Sequence, residues 1–229
     1  MKSKGIVAGV ACLRDVMCHF PTYPKKGNHT MKKHLLTNLY LFIAICSLSC
    51  SQPKGGDYVP SADGTKWEYS VEYAAALVGV GKGKMVSRID GDETINGKKY
   101  RKRINVYSGI PGAEAEVYYE RESNEGIFTI DGKHKDKPEY LDVMFPLEIG
   151  INWTSHRPAG DVHFRVESLE TLELIDRTYK DCLRISYTGS YESKSFEGYY
   201  FLAKDVGMVK DVYKIQGATF DVTLEKYQD

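Results

Sequence analysis

Three histidines in the C-terminal part of the chain, His134, His156 and His163, are the side chains best suited to metal or acid–base chemistry. His156 and His163 flank a predicted turn over 158–161, so the two could be cross-strand neighbours, with Asp161 in the turn itself. A zinc site needs three or four such ligands, and no cysteine lies close in sequence. The sequence therefore favours two solvated strand histidines, without a metal site.

Carboxylate pairs are the second set of candidates for catalysis. Glutamates lie two residues apart at Glu114 and Glu116, and again at Glu120 and Glu122. This spacing puts both members on one face of a strand, and we interpret them as solvated polar faces rather than as a glycosidase pair. The chain contains no Gly-x-Ser-x-Gly nucleophile elbow. The sequence thus predicts no catalytic residue, and an envelope hydrolase whose site is assembled only in three dimensions is the alternative.

A glycine-rich segment, GVGKGK at 79–84, has a superficial likeness to a phosphate-binding loop. It lacks the Lys-Ser/Thr pair and the strand–helix context that such a loop requires, so we predict a hairpin turn there. No cofactor is therefore expected.

Residues 31–52 read MKKHLLTNLYLFIAICSLSCSQ and have the pattern of an export signal. Met31 is followed by two lysines and by an apolar stretch, roughly 39–46, that is much shorter than the approximately 20 residues of a membrane span. A basic front, a short apolar segment and a small-residue end together indicate a signal peptide. We predict that translation starts at Met31, that 1–30 is an upstream extension, and that 31–49 is the signal.

Cys50 follows this segment and is the predicted lipid attachment site. The end of the segment resembles a bacterial lipoprotein signal, in which the cysteine at the cleavage site receives a diacylglycerol thioether. Ser49 fits that pattern, but Leu48 stands two residues before the cysteine, whereas such signals usually carry leucine three residues before it. Ser47 and Ser49 also suit an ordinary signal peptidase, which would cut the same bond and leave a free thiol. We favour lipidation, because a free N-terminal thiol has no evident use in an oxidising compartment.

Lipidation of Cys50 predicts where the protein is located and what it is attached to. The protein would be anchored in the bacterial cell envelope, at the outer membrane and facing the periplasm, with the membrane as its partner. Residues 50–59 are polar and rich in Gly and Pro, which predicts a flexible linker. Cys182 is the only cysteine after Cys50 and is interpreted as a small core or edge residue of a strand.

The distribution of charge argues against nucleic-acid binding. Of the 31 basic and 31 acidic residues, the first fifty hold seven basic and one acidic, so residues 51–229 hold 24 and 30, a net charge of −6. Phosphate recognition requires clustered Lys and Arg. The basic run KKYRKR at 98–103 is interpreted as a solvated strand face.

The remaining chain, 60–229, contains an internal sequence repeat. Pro60-x-x-x-Gly64-x-x-Trp67 recurs as Pro146-x-x-x-Gly150-x-x-Trp153, and YYERESNEGIF at 118–128 recurs as YYFLAKDVGMV at 199–209. Order and spacing are kept, which predicts one domain built from two diverged units, about 60–131 and 146–215, and a final strand over 218–227.

Each unit has the pattern of antiparallel strands. KWEYSVEYA at 66–74 alternates apolar and polar residues, as expected for a half-buried strand. Asn96-Gly97 is typical of a tight hairpin turn, and only 168–174 is equally compatible with a helix. About ten short strands predict an all-β fold: an antiparallel barrel, a curved half-barrel or a sandwich.

The doubled Pro-x-x-x-Gly-x-x-Trp and the late YYFLAKDVGMVKDVY resemble a diffuse set of uncharacterised bacterial, outer-membrane lipoproteins. Their closing phrase, Tyr-Tyr and a short loop before Gly-Leu-Val-Lys, is matched here by Gly207, Met208, Val209 and Lys210. The resemblance covers most of 60–215 and implies an exported, β-rich envelope protein, and it offers no catalytic residues to carry over. Distant kinship with the curved-sheet lipoprotein carriers of the LolA and LppX type is a further hypothesis.

These patterns lead to an expected function. We expect a membrane-tethered, non-enzymatic module that binds a small apolar ligand or lipid, or another envelope protein. A dry, aromatic-filled interior would favour a scaffold, an open apolar cleft would favour ligand binding, and converging histidine and carboxylate would favour the hydrolase.

Overall fold

The structure is a computed structural model that describes residues 55–76, 79–191 and 194–229. The predicted extension 1–30, the signal 31–49 and Cys50 lie outside the described residues. None of the helices within the described ranges has the length and hydrophobicity that a bilayer crossing requires.

Twelve antiparallel strands and two single-turn 3-10 helices make up the described fold. The strands are β1 Lys66–Ala75, β2 Gly79–Ile95, β3 Lys98–Ser108, β4 Glu116–Glu122, β5 Gly126–Asp131, β6 Tyr140–Met144, β7 Asn152–Arg157, β8 Gly160–Leu174, β9 Arg177–Tyr191, β10 Lys194–Ala203, β11 Gly207–Ile215 and β12 Ala218–Gln228. The 3-10 helices are Gly55–Tyr58 and Gly132–His134. Each strand pairs with its neighbours in the chain, except across the β6–β7 connection, and β12 pairs with β1.

This sheet forms a nearly closed barrel, which confirms the predicted all-β fold and selects the barrel among the three predicted architectures. Alternation explains the interior: Trp67, Tyr69 and Val71 on β1 are each at most 3% exposed. The Asn96-Gly97 turn forms as predicted, with φ of 50° and 77°. The segment 168–174, for which helix and strand were both compatible, lies in β8 as strand.

Two side chains join the unpaired edges β6 and β7. The indole Nε1 of Trp153 donates to the carbonyl of Asp142 at 3.1 Å, and Arg157 binds the Asp142 carboxylate at 2.6 Å. The barrel is therefore held together at this seam by side chains rather than by a backbone ladder.

The prediction of a hairpin turn at 79–84 is wrong, because these residues begin strand β2 and pair with β1. The glycines have a steric reason. A Cβ at Gly81 would lie 2.3 Å from the Tyr73 ring, and one at Gly83 would lie 2.4 Å from Ile110. Side chains of neighbouring segments occupy the space, so the strand needs glycine there.

The predicted linker over 50–59 extends too far, because residues 55–59 pack on the barrel. Tyr58 is 5% exposed and packs in the cluster that contains Trp153 and Phe164. The carbonyl of Asp57 accepts a hydrogen bond from the amide of Asp205 at 2.6 Å. Burial of one large aromatic ring is enough to fix this short segment.

The two halves of the barrel repeat the same local geometry. Gly64 and Gly150, before the two tryptophans, have φ of 87° and 91°. The amide of Gly64 bonds the carbonyl of Ile89 at 3.3 Å, and the amide of Gly150 bonds that of Val166 at 2.8 Å. Each half supplies six consecutive strands. The duplication stays a prediction, which these parallels support.

Candidate binding cavity in the barrel lumen

The barrel interior is not solidly packed. It contains a partly open cavity of about 370 Å³, which we call the first cavity, and Tyr58, Val59 and Pro60 are among the residues that line it. Aromatic, acidic, basic and hydroxyl side chains all line it. Its principal lining residues are Trp67, Tyr69, Ser87, Arg103, Asn105, Tyr118, Glu120, Thr129, Tyr140, Asp142, Arg157, Phe164, Tyr200, Leu202 and Asp211.

One wall of the first cavity, formed by β2 to β5, is polar. Arg103 makes two hydrogen bonds to Glu120, at 2.7 and 3.0 Å, and a third to Ser87 at 3.3 Å. Its guanidinium lies 4.6 Å from the centre of the Trp67 ring. The side chains of Arg103 and Glu120 are only 17% and 16% exposed. The interpretation of both residues as solvated strand faces is therefore wrong: in the observed register they face the lumen.

A second arginine lies at the seam. Arg157 pairs with Asp142 on β6, and its guanidinium is 5.5 Å from the Tyr140 ring and 5.6 Å from the Phe164 ring. Both lumen arginines are thus neutralised by a carboxylate and stacked on aromatic rings. They act as fixed hydrogen-bond donors rather than as a free positive patch.

The opposite wall, formed by β8 to β10, is mainly aromatic and apolar. Phe164 stacks on Trp153 with ring centres 4.9 Å apart, and Val166 and Ile185 are fully buried behind it. Leu202 on β10 lines the first cavity on this side. The lumen consequently presents one polar and one apolar surface to whatever occupies it.

Two buried polar atoms in the described residues have no hydrogen-bond partner: Asn105 Oδ1 and Thr129 Oγ1. Both residues line the first cavity. An unsatisfied buried polar group costs about 1–3 kcal/mol, so each of the two atoms calls for a partner that the protein itself does not supply, such as an ordered water or a ligand.

A second cavity, of about 550 Å³, is lined by the β3–β4 connection, Ile110 to Glu114. It shares Met85, Asn105, Met208 and Asp211 with the first cavity. These four residues form what we call the junction. The two cavities are continuous in their lining and extend from the junction toward different loops.

Asp211 on β11 is the most perturbed carboxylate of the lumen. Burial raises its pKa to about 7, the hydrogen bond from Tyr187 at 2.9 Å lowers it, and the nearby charge of Asp221 raises it. No lysine or arginine pairs with it among the described residues. It therefore exchanges its proton near neutral pH, with no internal cation to hold its charge.

His156 and His163 lie on the paired strands β7 and β8, as predicted, but opposite Asp161 and Thr154 rather than opposite each other. His156 bonds Asp161 at 3.0 Å, His163 bonds Thr154 at 2.9 Å, and His134 bonds Asp131 at 3.1 Å. Neither lumen cavity is lined by a histidine, and the described part of the chain holds no group of three metal-ligating side chains.

The other sequence candidates have structural positions. Glu116 accepts a hydrogen bond from Tyr107 at 2.7 Å in the second cavity, whereas Glu114 pairs with Lys133 at 3.3 Å. Cys182 is fully buried, as expected of a core residue, and burial raises the pKa of its thiol to about 11. That value leaves it protonated and unreactive at neutral pH.

Sequence reasoning missed Arg103, Arg157 and Asp211. One signal was available for Asp211: it alternates in phase with Tyr213, so that a carboxylate stands on the apolar face of its strand. A buried charge in that position lowers the stability of the fold unless it is paired with an opposite charge or takes part in binding.

No protein-family model matches the chain, and no curated protein is significantly similar to it in sequence. The structure is similar to that of a protein from Bacteroides fragilis that is taken to be exported and has a YmcC-like fold, with 11% identity, a TM-score of 0.47, and 74% of this chain and 98% of that chain covered. It is also similar to a protein from Parabacteroides distasonis that is taken to be a lipoprotein, with 12% identity, a TM-score of 0.41, and 75% and 98% covered. Kinship with carriers of the LolA and LppX type stays a hypothesis.

Proposed function

We propose that this protein is a bacterial envelope lipoprotein whose barrel binds a small amphipathic ligand in its lumen. The observation that carries the proposal is the cavity lined on one side by Arg103, Glu120 and Thr129 and on the other by Phe164 and Leu202. A ligand with a polar and an apolar part would complement both walls.

The interior supports binding over the two other expected functions. A scaffold needs no cavity, whereas this lumen is hollow and leaves two buried polar atoms unpaired. A serine-type hydrolase would place a histidine beside a nucleophile, and the described residues that line the two lumen cavities include no histidine.

The tether is part of the proposal and is supported by the sequence pattern before Cys50. Five residue steps separate Cys50 from Gly55, the first described residue, and they span at most about 18 Å when extended. Tyr58, at the end of the first 3-10 helix, also lines the first cavity. A lipid on Cys50 would therefore keep the lumen near the membrane surface, and intact-mass analysis for a diacylglycerol adduct tests this part directly.

Native mass spectrometry of the full chain, extracted mildly from its own membrane, tests ligand binding. We expect a small-molecule adduct on the wild type. Thr129→Leu removes an unpaired hydroxyl from the polar wall and makes that wall apolar and bulkier, so the adduct should be lost. The matched control Thr178→Leu changes an exposed strand position and should retain it.

Asn105→Leu repeats the test from strand β3, in case Thr129→Leu does not fold. A wild-type protein without any adduct, or an adduct that survives both lumen substitutions, would overturn the proposal.

A further inference from the structure

We infer that the lumen ligand carries a primary ammonium group, which binds at the junction and in the second cavity between Asp211, Asn105 and Glu116. This inference rests on the proposed function, because it names the chemical class of the ligand for the same lumen. Four independent features of the described residues support it: charge, hydrogen-bonding capacity, aromatic walls and space.

The charges of the lumen leave an acidic surplus at this place. Arg103 and Arg157 are matched by Glu120 and Asp142 in the first cavity. Two further carboxylates, Asp211 and Glu116, line the second cavity. Lys133, the cation in its lining, pairs with Glu114 in the β3–β4 connection. A bound cation would therefore meet carboxylates without displacing an internal ion pair.

The unused hydrogen-bonding capacity at the junction and in the second cavity is that of acceptors. Asn105 Oδ1 is buried without a partner. Asp211 accepts from Tyr187, and Glu116 accepts from Tyr107. When ionised, a carboxylate has acceptor capacity for several donors, so one bond leaves most of it unused. A primary ammonium has three N–H donors and no acceptor, which is the complement of this set.

Aromatic rings supply the walls. Tyr213 and Phe220 stack with ring centres 4.8 Å apart, and Tyr107 lines the same cavity. The faces of such rings attract cations, with a gain of about 0.5–2 kcal/mol when the site is desolvated. The apolar end of an alkylammonium ligand would extend from the junction past Met85 and Met208 into the first cavity.

The groups that face Asp211 determine how pH acts on the site. Within the lumen they are Tyr187 on β9, Tyr200 on β10, Tyr213 on its own strand and Tyr69 on β1. Asp221 on β12 acts from the other face of the sheet, because the register places Val222 opposite Asp211. None of these groups is a cation. The proton on Asp211 must leave before the carboxylate can pair with an ammonium, so affinity should rise as the pH rises through about 7.

Isothermal titration calorimetry with octylammonium chloride tests the inference, with 1-octanol and octanoate as probes that share the chain but not the charge. We expect octylammonium to bind at least about tenfold more tightly than either, because a close, desolvated charge pair typically contributes that much or more. Between pH 6 and pH 8 its affinity should rise about tenfold, following ionisation of a carboxyl with a pKa of about 7.

Asp211→Asn should remove both the preference and its pH dependence. The control Asp90→Asn lies on β2, pairs with Lys102 at 3.2 Å, lines neither lumen cavity and is not among the charges that act on Asp211, so it should leave both unchanged. If Asp211→Asn does not fold, Glu116→Gln gives a second test with the same expected direction.

Tighter binding of 1-octanol or octanoate, or an unchanged preference in Asp211→Asn, would overturn the ammonium inference. Failure of all three probes to bind would overturn it as well. Neither outcome touches the lumen-binding proposal, which depends on the adduct carried by the native protein and on its loss in the lumen variants.

Discussion

Arg103 is the side chain on which the polar half of the lumen depends. It bonds Glu120 and Ser87 and lies over Trp67, so its guanidinium connects strand β3 to strands β4, β2 and β1. A buried ion pair of this kind contributes modestly as a whole, but it becomes costly when one partner is removed. The polar wall around Arg103 is therefore stable only while Arg103 and Glu120 remain paired.

Replacing Glu120 by Gln should lower the free energy of unfolding by about 3 kcal/mol, because Arg103 would keep its charge in a buried site. The double variant Arg103→Met/Glu120→Leu should regain most of that loss, since it buries apolar groups instead. Urea denaturation of the purified protein measures both.

The exposed pair of Glu72 with Lys82 provides the control. Glu72→Gln should change stability by no more than about 0.5 kcal/mol, because surface pairs contribute little. Equal effects at Glu72 and Glu120 would contradict the view that the Arg103 pair is a lumen element.

The direction of Arg103 could not be predicted from local sequence. In KKYRKR both alternating faces are basic, so either phase of the strand is acceptable on composition alone. The choice follows from register: Arg103 lies opposite Ile89 on β2 and Tyr118 on β4. Those pairings are made by residues 14 to 15 positions away, and the partner carboxylate is Glu120. The placement of the charged side chains in this site is therefore set by tertiary structure and not by local sequence.

At the scale of elements, the β5–β6 connection is fastened to the outer face of the barrel. Glu139 in this connection bonds Lys98, Tyr100 and Arg121 at 2.6–2.7 Å. Burial alone would raise the pKa of Glu139, but the hydrogen bonds from these three residues lower it to about 2. The connection therefore covers the buried ring of Tyr119 and its neighbours, and the hydrogen bonds of Glu139 hold it in place.

Because the pKa of Glu139 is lower in the folded than in the unfolded protein, its stabilisation is complete above pH of about 4.5 and is lost as the pH falls toward 2. Glu139→Gln should lower the free energy of unfolding at pH 7 by on the order of 1 kcal/mol, an amount that allows for partial solvent screening. Urea midpoints at pH 7 and pH 3 should differ less in this variant than in the wild type.

Glu225, which pairs with Lys84 at 3.4 Å on the exposed surface, is the matched position. Glu225→Gln should leave the acid dependence as in the wild type. A Glu139 variant that keeps the full loss of stability between pH 7 and pH 3 would show that other carboxylates control it.

The elements themselves were largely predictable, and the exceptions have physical reasons. Strand β1 follows from the alternation of apolar and polar residues. The hairpin follows from Asn96-Gly97, because this pair accepts positive φ at both turn positions. β6 was missed because it is only five residues long. The start of β2 was misread because its glycines serve neighbouring side chains rather than a turn.

At the scale of the whole molecule, barrel and sandwich could not be distinguished from the sequence. Closure depends on the pairing of β1 with β12, whose partners Lys66 and Gln228 are 162 residues apart. It depends equally on Trp153 and Arg157 at the seam, where no backbone ladder forms. A hollow lumen follows from this closure, because small and polar residues replace bulky apolar ones along β2 to β5.

The central claim is that the lumen holds an amphipathic ligand, and a crystal structure of the protein prepared from its own membrane tests it most directly. We predict continuous difference density in the lumen, with its polar end within hydrogen-bond distance of Asn105 Oδ1 and its apolar part against Phe164 and Leu202. A lumen that contains only ordered water at both unpaired acceptors, or one closed by rearranged side chains, would contradict the claim.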